Sequence, residues 1–223
     1  MQNQDIFSKI DHTVLKAFTT WEDVEKLCDE AVKHKMASVC VPPCYVKKIK
    51  DKYNDELKIC TVIGFPLGYN VTEVKELETV CALRDGADEI DMVINICEVK
   101  NGNFGYVEDE IARLRKLTEG KILKVIIETC YLTDDEKKKA CELSLNAKAD
   151  FVKTSTGFGT GGATFEDVQL MKSVVGDKAE VKASGGVKDL ETAKKYIELG
   201  ATRLGTSSGI AIVTGLESEK TGY

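Results

Sequence analysis

The 223-residue chain lacks a basic excess: 31 Lys and Arg stand against 37 Asp and Glu, a net charge of -6. A polyanionic backbone would have to bind against the overall field, so nucleic acid is not an expected partner. Long apolar runs are missing too. Stretches such as Val125-Ile126-Ile127 fall far short of the roughly 20 residues a membrane-spanning helix requires. Met1 through Lys9 show neither a basic segment followed by an apolar one nor a small-residue cleavage site, so no secretion signal is read. A soluble, cytoplasmic protein without a membrane partner is expected. There are only two histidines, and none lies near Cys40 and Cys44, the closest cysteine pair, which makes a poor zinc half-site. No metal and no cofactor are expected. No Gly-x-Gly-x-x-Gly follows the first strand, which removes the usual dinucleotide reading.

What is present suffices for a sizeable core. Hydrophobic residues make up 43% of the chain, and no shift in composition marks a second domain, so residues 1–223 read as one globular unit. Eight cysteines are scattered through apparent strands and helices, in a chain too large to need staples, and read as reduced thiols.

Short β-branched runs alternate with longer segments of helical period, the pattern of βα units around a parallel sheet. Eight strands are predicted, centred on Ile10-Asp11-His12, Ser38-Val39-Cys40-Val41, Ile59-Cys60-Thr61-Val62, Glu89-Ile90-Asp91-Met92, Leu123-Lys124-Val125-Ile126, Phe151-Val152-Lys153, Val181-Lys182-Ala183 and Arg203-Leu204-Gly205. Helix signals fall between them. Thr20 can cap a helix whose Val24, Leu27, Cys28, Ala31 and Val32 form one buried stripe. Thr133 with Glu136 and Thr164 with Asp167 have capping-box spacing, and Gly86 and Gly200 fit as helix stops. The predicted fold is α/β, a (β/α)8 TIM barrel, with an open doubly wound sheet as its rival.

In a barrel the active site lies at the carboxyl ends of the strands, so charged residues within buried runs are candidates. Asp91 lies between Ile90 and Met92, Lys153 follows Phe151-Val152, and Lys182 lies between Val181 and Ala183. Each alone reads better as part of a structural ion-pair cluster. Together, two lysines to one aspartate leave a surplus cation, which a lysine nucleophile would use. An amine attacks a carbonyl only when neutral, and about one unperturbed lysine in 2500 is neutral at pH 7. Bringing its pKa to about 7 takes some 4 to 5 kcal/mol. A second ammonium about 4 Å away gives up to about 4 kcal/mol of repulsion at an effective dielectric near 20. Burial acts in the same direction. The residues themselves leave open which lysine is nucleophile and which is helper.

Ser184-Gly185-Gly186-Val187 ends the seventh strand and Gly205-Thr206-Ser207-Ser208-Gly209 the eighth, where this fold habitually binds phosphate. Gly157, Gly159, Gly161 and Gly162 follow the sixth. Small residues let backbone N–H groups approach an anion; the alternative is a set of ordinary turns. His34 reads as a surface residue near a helix C-terminus, while His12 either borders the pocket or satisfies core hydrogen bonds.

Six segments in order resemble the deoxyribose-phosphate aldolase family. They are Asp11-His12-Thr13, Ile63 through Gly68, Asp88 through Asn95, Phe151 through Phe158, Val181 through Val187, and Gly205 through Gly209. The resemblance implies a class I aldolase of 2-deoxyribose 5-phosphate. Lys153 would form the Schiff base, Lys182 perturb its pKa, and Asp91 relay protons. Gly185, Gly186, Gly205, Ser207 and Ser208 would hold the phosphate, with Thr154 and Gly157 lining the same mouth. Tyr223, the last residue, matches a family tendency to end in a tyrosine that transfers protons. Partners would be the phosphorylated sugar, its aldehyde products and further copies of the chain as a dimer or tetramer. Leu15-Lys16-Ala17-Phe18 lacks a proline expected there, which puts that loop's shape in doubt. Cys40 is expected to face the pocket, where its thiol could add to aldehydes. Rival readings are another phosphosugar-barrel aldolase, a transaldolase-like enzyme, or an inactive barrel that senses sugar phosphates.

Overall fold

In the structure, a computed structural model that describes residues 3–215, the predicted strands close into a parallel barrel in which each pairs with its sequence neighbours and β8 returns to β1. Helix α1 (Asn3–Phe7) leads into β1 (Ile10–Thr13), followed by α2 (Trp21–His34), β2 (Ser38–Val41), α3 (Val46–Tyr53), β3 (Ile59–Ile63), α4 (Thr72–Arg84) and β4 (Glu89–Val93). Two helices, α5 (Ile96–Lys100) and α6 (Phe104–Leu117), precede β5 (Ile122–Ile126). The barrel closes with α7 (Asp134–Asn146), β6 (Phe151–Lys153), α8 (Phe165–Val175), β7 (Glu180–Ser184), α9 (Leu190–Glu198), β8 (Ala201–Thr206) and α10 (Gly209–Thr214).

The strands are buried on both faces, with helices outside and packed side chains within, which is why they read as continuous apolar runs without alternation. Helix starts follow their local chemistry. Thr20 and Asp23 form a reciprocal capping box on α2, as Thr133 and Glu136 do on α7. Thr164 accepts from the Asp167 N–H at the start of α8. Each cap contributes about 1 kcal/mol. Gly86 and Gly200 follow α4 and α9 and lead into the next strands.

The structure adds α1, which buries Ile6 and Phe7 in a segment where no element was predicted. It also places two of the three predicted charges deeper than strand ends. Asp91 and Lys182 sit mid-strand in β4 and β7, and only Lys153 is the last residue of its strand.

Candidate active site

Register brings the site together. Asp91 pairs with Lys124 across β4 and β5, and Lys153 with Lys182 across β6 and β7. Register partners point to the same face of a sheet, and here that face is the barrel interior. Oδ2 of Asp91 accepts from both Lys153 Nζ and Lys182 Nζ at 2.7 Å, while Oδ1 accepts from Lys124 Nζ at 2.8 Å. Because β4 and β7 are not neighbours, the bond between Asp91 and Lys182 must cross the barrel.

The two-to-one count of lysines to aspartate was incomplete. Asp11 Oδ2 accepts from Lys182 at 2.5 Å and its Oδ1 from Arg203 and Ser38, each at 2.6 Å. Glu89 binds Lys124 at 2.5 Å and Arg203 at 3.0 Å. A shift in register between β7 and β8 sets Arg203 opposite Lys182. The connected network therefore contains Lys124, Lys153, Lys182 and Arg203 against Asp11, Glu89 and Asp91, still one cation in surplus. The residues missed from sequence carried the same signal as Lys182: Lys124 and Arg203 also interrupt apolar strands.

Burial opposes charge throughout this network, and pairing overrides it. For Lys182, the Asp11 and Asp91 carboxylates outweigh burial and hold its pKa above the ordinary lysine range. Burial would raise Asp91, but Lys124, Lys153 and Lys182 hold it well below the carboxylate range. Asp11 is lowered likewise, by Lys182, Lys124 and Arg203 against burial. Lys124 is raised by Asp91, Cys60, Asp11 and Glu89, again against burial. The interior is thus a fixed set of charges, with Lys153 on its rim.

Above this layer opens a cavity of about 1170 Å³ walled by the loops after β6, β7 and β8. Gly157, Gly185, Gly186, Gly205, Ser207 and Ser208 all line it. Glycine is needed where these loops touch: a Cβ on Gly162 would fall 1.0 Å from the Gly185 carbonyl oxygen. One on Gly205 would meet Ser184 Oγ at 2.3 Å and Lys182 Cε at 3.2 Å, so Gly205 leaves room for that lysine under the mouth. Thr154 differs from expectation. It is fully buried away from the cavity wall, its hydroxyl accepting from the Ser184 N–H and donating to the Ser184 carbonyl, and it staples β6 to β7.

Glu128 had not been singled out from sequence. Its backbone is left-handed, with φ +52°, and its buried carboxylate accepts from the Thr156 N–H at 3.2 Å and from the Thr156 hydroxyl. Burial raises its pKa, while Thr156, Lys153 and Cys130 act to lower it. The loop after β5 thus holds the loop that follows Lys153.

Cys40 pairs in register with Cys60, and its thiol is fully buried in the interior. A hydrogen bond with Cys60 lowers the Cys40 pKa against burial, whereas burial drives the Cys60 thiol well up. Ligand atoms of Cys40, Cys60 and Asp91 lie within 4.8 Å of one another, as do those of Asp11, Cys60 and Glu89. These carboxylates already accept from three lysines and an arginine, so a metal ion there would meet cations on several sides. All eight cysteines are free thiols.

His12 is buried with Nε2 2.8 Å from Glu30, the core hydrogen-bonding alternative; Nδ1 has no partner. In the loop after β1 the Thr19 N–H donates to the Lys16 carbonyl at 3.0 Å, closing a turn over Ala17 and Phe18 with Phe18 exposed. Tyr223 lies outside the described residues. Among those described, no helix is long and apolar enough to cross a membrane.

A model of the DeoC/LacD family aldolases matches residues 6–215. The chain is 50% identical over 219 residues to the deoxyribose-phosphate aldolase of Clostridium botulinum (strain Alaska E43 / Type E3), covering 98% of this chain and 99% of that one. To that of Finegoldia magna it is 58% identical over 207 residues, 92% of this chain and 97% of the relative. The tetrameric deoxyribose phosphate aldolase of Aeropyrum pernix superposes with a TM-score of 0.90 at 33% identity, covering 96% of this chain and 92% of that one. With the whole barrel matched at such identity, the chain belongs to the DeoC/LacD family of aldolases.

Proposed function

We propose that this chain is a class I aldolase that cleaves 2-deoxyribose 5-phosphate reversibly to glyceraldehyde 3-phosphate and acetaldehyde, with Lys153 as the Schiff-base lysine. The observation that carries the assignment is the shared Asp91 oxygen. It holds Lys153 beside Lys182, whose charge is fixed by two carboxylates. Apart from Lys153 the network sets three cations, Lys124, Lys182 and Arg203, against three carboxylates, so Lys153 is the amine not needed as a counter-ion.

The chemistry starts from the amine that ends β6. Lys153 Nζ adds to the substrate's C1 aldehyde and water leaves, forming an iminium. A base removes the C3 hydroxyl proton, the C2–C3 bond breaks, and its electrons flow into the iminium to give an enamine. Glyceraldehyde 3-phosphate departs. Protonation of the enamine at C2 and hydrolysis then release acetaldehyde and restore the amine. Asp91, bonded to both lysines, fits the relay that moves these protons. The substrate's phosphate would lie in the loop cavity, against Gly185, Gly186, Gly205, Ser207 and Ser208, with Gly157 beside Gly185.

A homo-oligomer fits the same reading, since the Aeropyrum pernix relative is tetrameric. Eight free thiols fit the cytoplasm. The reaction is tested by incubating the full chain with 2-deoxyribose 5-phosphate and following both aldehydes. Their release, unaffected by chelator and lost in Lys153→Ala, supports the reading. Absence of turnover favours the inactive barrel, and loss of turnover on chelation favours a metal-assisted aldolase.

A further inference from the structure

Strands β2 and β3 place two thiols side by side inside the barrel, against the charge network but without a part in the reaction written above. Cys40 and Cys60 are register partners on these parallel neighbours, and both are fully buried. Their sulfurs and a carboxylate oxygen of Asp91 all lie within 4.8 Å of one another. Paired strands run about 4.8 Å apart, inside the roughly 4.4 to 6.8 Å Cα range of disulfides. On the concave face of a barrel the side chains converge further.

The two sulfurs are not equivalent. Cys60 donates to Asp91 Oδ1 at 3.1 Å and accepts from Lys124 Nζ at 3.3 Å. Burial, more than any neighbour, drives its thiol well up. Cys40 is instead lowered, by its hydrogen bond with Cys60 and, against burial, by Lys182 and Lys153. Cys28 and Cys141, buried in the main core, are pushed up to about 12 by burial. The thiolate is the reactive form of cysteine, so Cys40 is the nucleophile of the pair and Cys60 its partner.

Cys40, Cys60 and Val62 form an apolar cluster apart from the main core, and Leu15 and Phe65, both half-buried, pack against it. Leu15 follows β1 and Phe65 follows β3, so both stand at the carboxyl end of the barrel, where Lys153 ends β6. A small, uncharged oxidant such as hydrogen peroxide is the class of molecule that such a route admits.

We propose that Cys40 and Cys60 form a reversible disulfide when hydrogen peroxide enters the barrel, and that this bond turns the active site down. The Cys40 sulfur attacks one peroxide oxygen, the O–O bond breaks, and the departing hydroxide takes the Cys40 proton and leaves as water. The Cys60 sulfur then attacks the sulfenic sulfur, the S–O bond breaks, and this second hydroxide takes the Cys60 proton. The thiols lose two electrons in all, and peroxide is reduced to two waters. An S–S bond of about 2.05 Å draws Cys60 off Asp91 and Lys124 and removes its S–H. Asp91, which holds Lys153 and Lys182, then lacks a donor. The effect on turnover rests on the aldolase reading above, whereas the bond itself does not.

The test treats the full-length protein with hydrogen peroxide, alkylates the remaining thiols after unfolding, and reads unreduced peptides by mass spectrometry. The expected result is a peptide pair joined through Cys40 and Cys60. Turnover of 2-deoxyribose 5-phosphate should be about tenfold lower, the worth of one hydrogen bond to a charged group. Dithiothreitol should reverse both. In Cys60→Ala, Cys40 lacks its partner thiol and should run on to sulfinic acid, which dithiothreitol does not reverse. Unlinked thiols in the wild type, a link through Cys44 in place of Cys40, sulfinic acid at wild-type Cys40, or a link that leaves turnover unchanged overturns the proposal. Should Cys60→Ala fail to fold, Cys40→Ala gives an independent reading. Peroxide should leave its Cys60 a free thiol and its turnover where it stood before treatment, and a loss equal to that of the wild type overturns the proposal as well. The two readings fail separately. A Cys40–Cys60 link in a protein that never turns over the sugar contradicts the aldolase assignment alone, and turnover with no link contradicts the disulfide alone.

Discussion

Lys153 and Lys182 are register partners on adjacent strands, and both donate to the same Asp91 oxygen at 2.7 Å. Their nitrogens therefore lie no farther apart than twice that distance, inside a nearly dry barrel where charges are poorly screened. The roles of the two lysines differ because their neighbours differ. Lys182 has a second carboxylate, Asp11, which it shares with Arg203 and Ser38, whereas Lys153 is the last residue of its strand.

Replacing Lys182 by Met should remove the ammonium that shares the Asp91 oxygen with Lys153. Turnover at neutral pH is expected to fall about 100-fold or more, the kinetic equivalent of most of a nearby charge repulsion at moderate dielectric. Steady-state turnover of both proteins at neutral pH checks this, and wild-type turnover in the variant would assign Lys182 another role.

Asp11 and Asp91 give the stability of the barrel an acid edge. Their folded pKa values lie below the ordinary 3.8, so the unfolded chain takes up protons first as pH falls. The stability they contribute is complete above about pH 3.8 and is lost progressively below it. Asp11→Asn leaves Lys182 and Arg203 short of a carboxylate. It should cost about 3 kcal/mol or more at neutral pH and flatten the acid dependence. Urea unfolding of wild type and variant across this range measures both effects.

Glu128 should matter for substrate binding more than for bond breaking. Removing it in Glu128→Ala frees the Thr156 N–H and hydroxyl and loosens the loop that carries Gly157. The KM for the phosphorylated substrate should rise about tenfold, the worth of one hydrogen bond to a charged acceptor, with kcat changed less. Glu128→Gln retains an acceptor oxygen and should recover most of the loss.

The buried pair under α4 yields a cycle. Lys75→Met strands Glu110, fully buried and also accepting from the Asn95 N–H, and should cost about 3 kcal/mol. The double variant Lys75→Met with Glu110→Leu should be less destabilised than Lys75→Met alone. Burial lowers the Lys75 pKa and raises that of Glu110, the directions expected of a pair whose desolvation competes with its attraction. Chemical denaturation of the three variants gives the coupling.

All eight strands were legible because each is a short β-branched run covered on both faces, a local property. Lys153 was legible as a charge at the end of such a run. Lys124 and Arg203 carried the same mark, but their meaning depends on register around the barrel, and for Arg203 on the irregularity in β8. The burial of Lys75 on α4 was not readable, because its partner Glu110 lies 35 residues farther along. The surroundings of Thr154 were not readable for a related reason. Its hydroxyl is taken by the backbone of Ser184 on the neighbouring strand, a partner visible only after folding.

The central claim is that Lys153 is the amine that bonds to substrate. Acetaldehyde and borohydride added to the full-length protein should leave an ethyl group on Lys153, found by peptide mass spectrometry, and Lys153→Ala should show neither adduct nor turnover. An adduct on Lys182 or Lys124 instead, or turnover that survives in Lys153→Ala, would contradict the account.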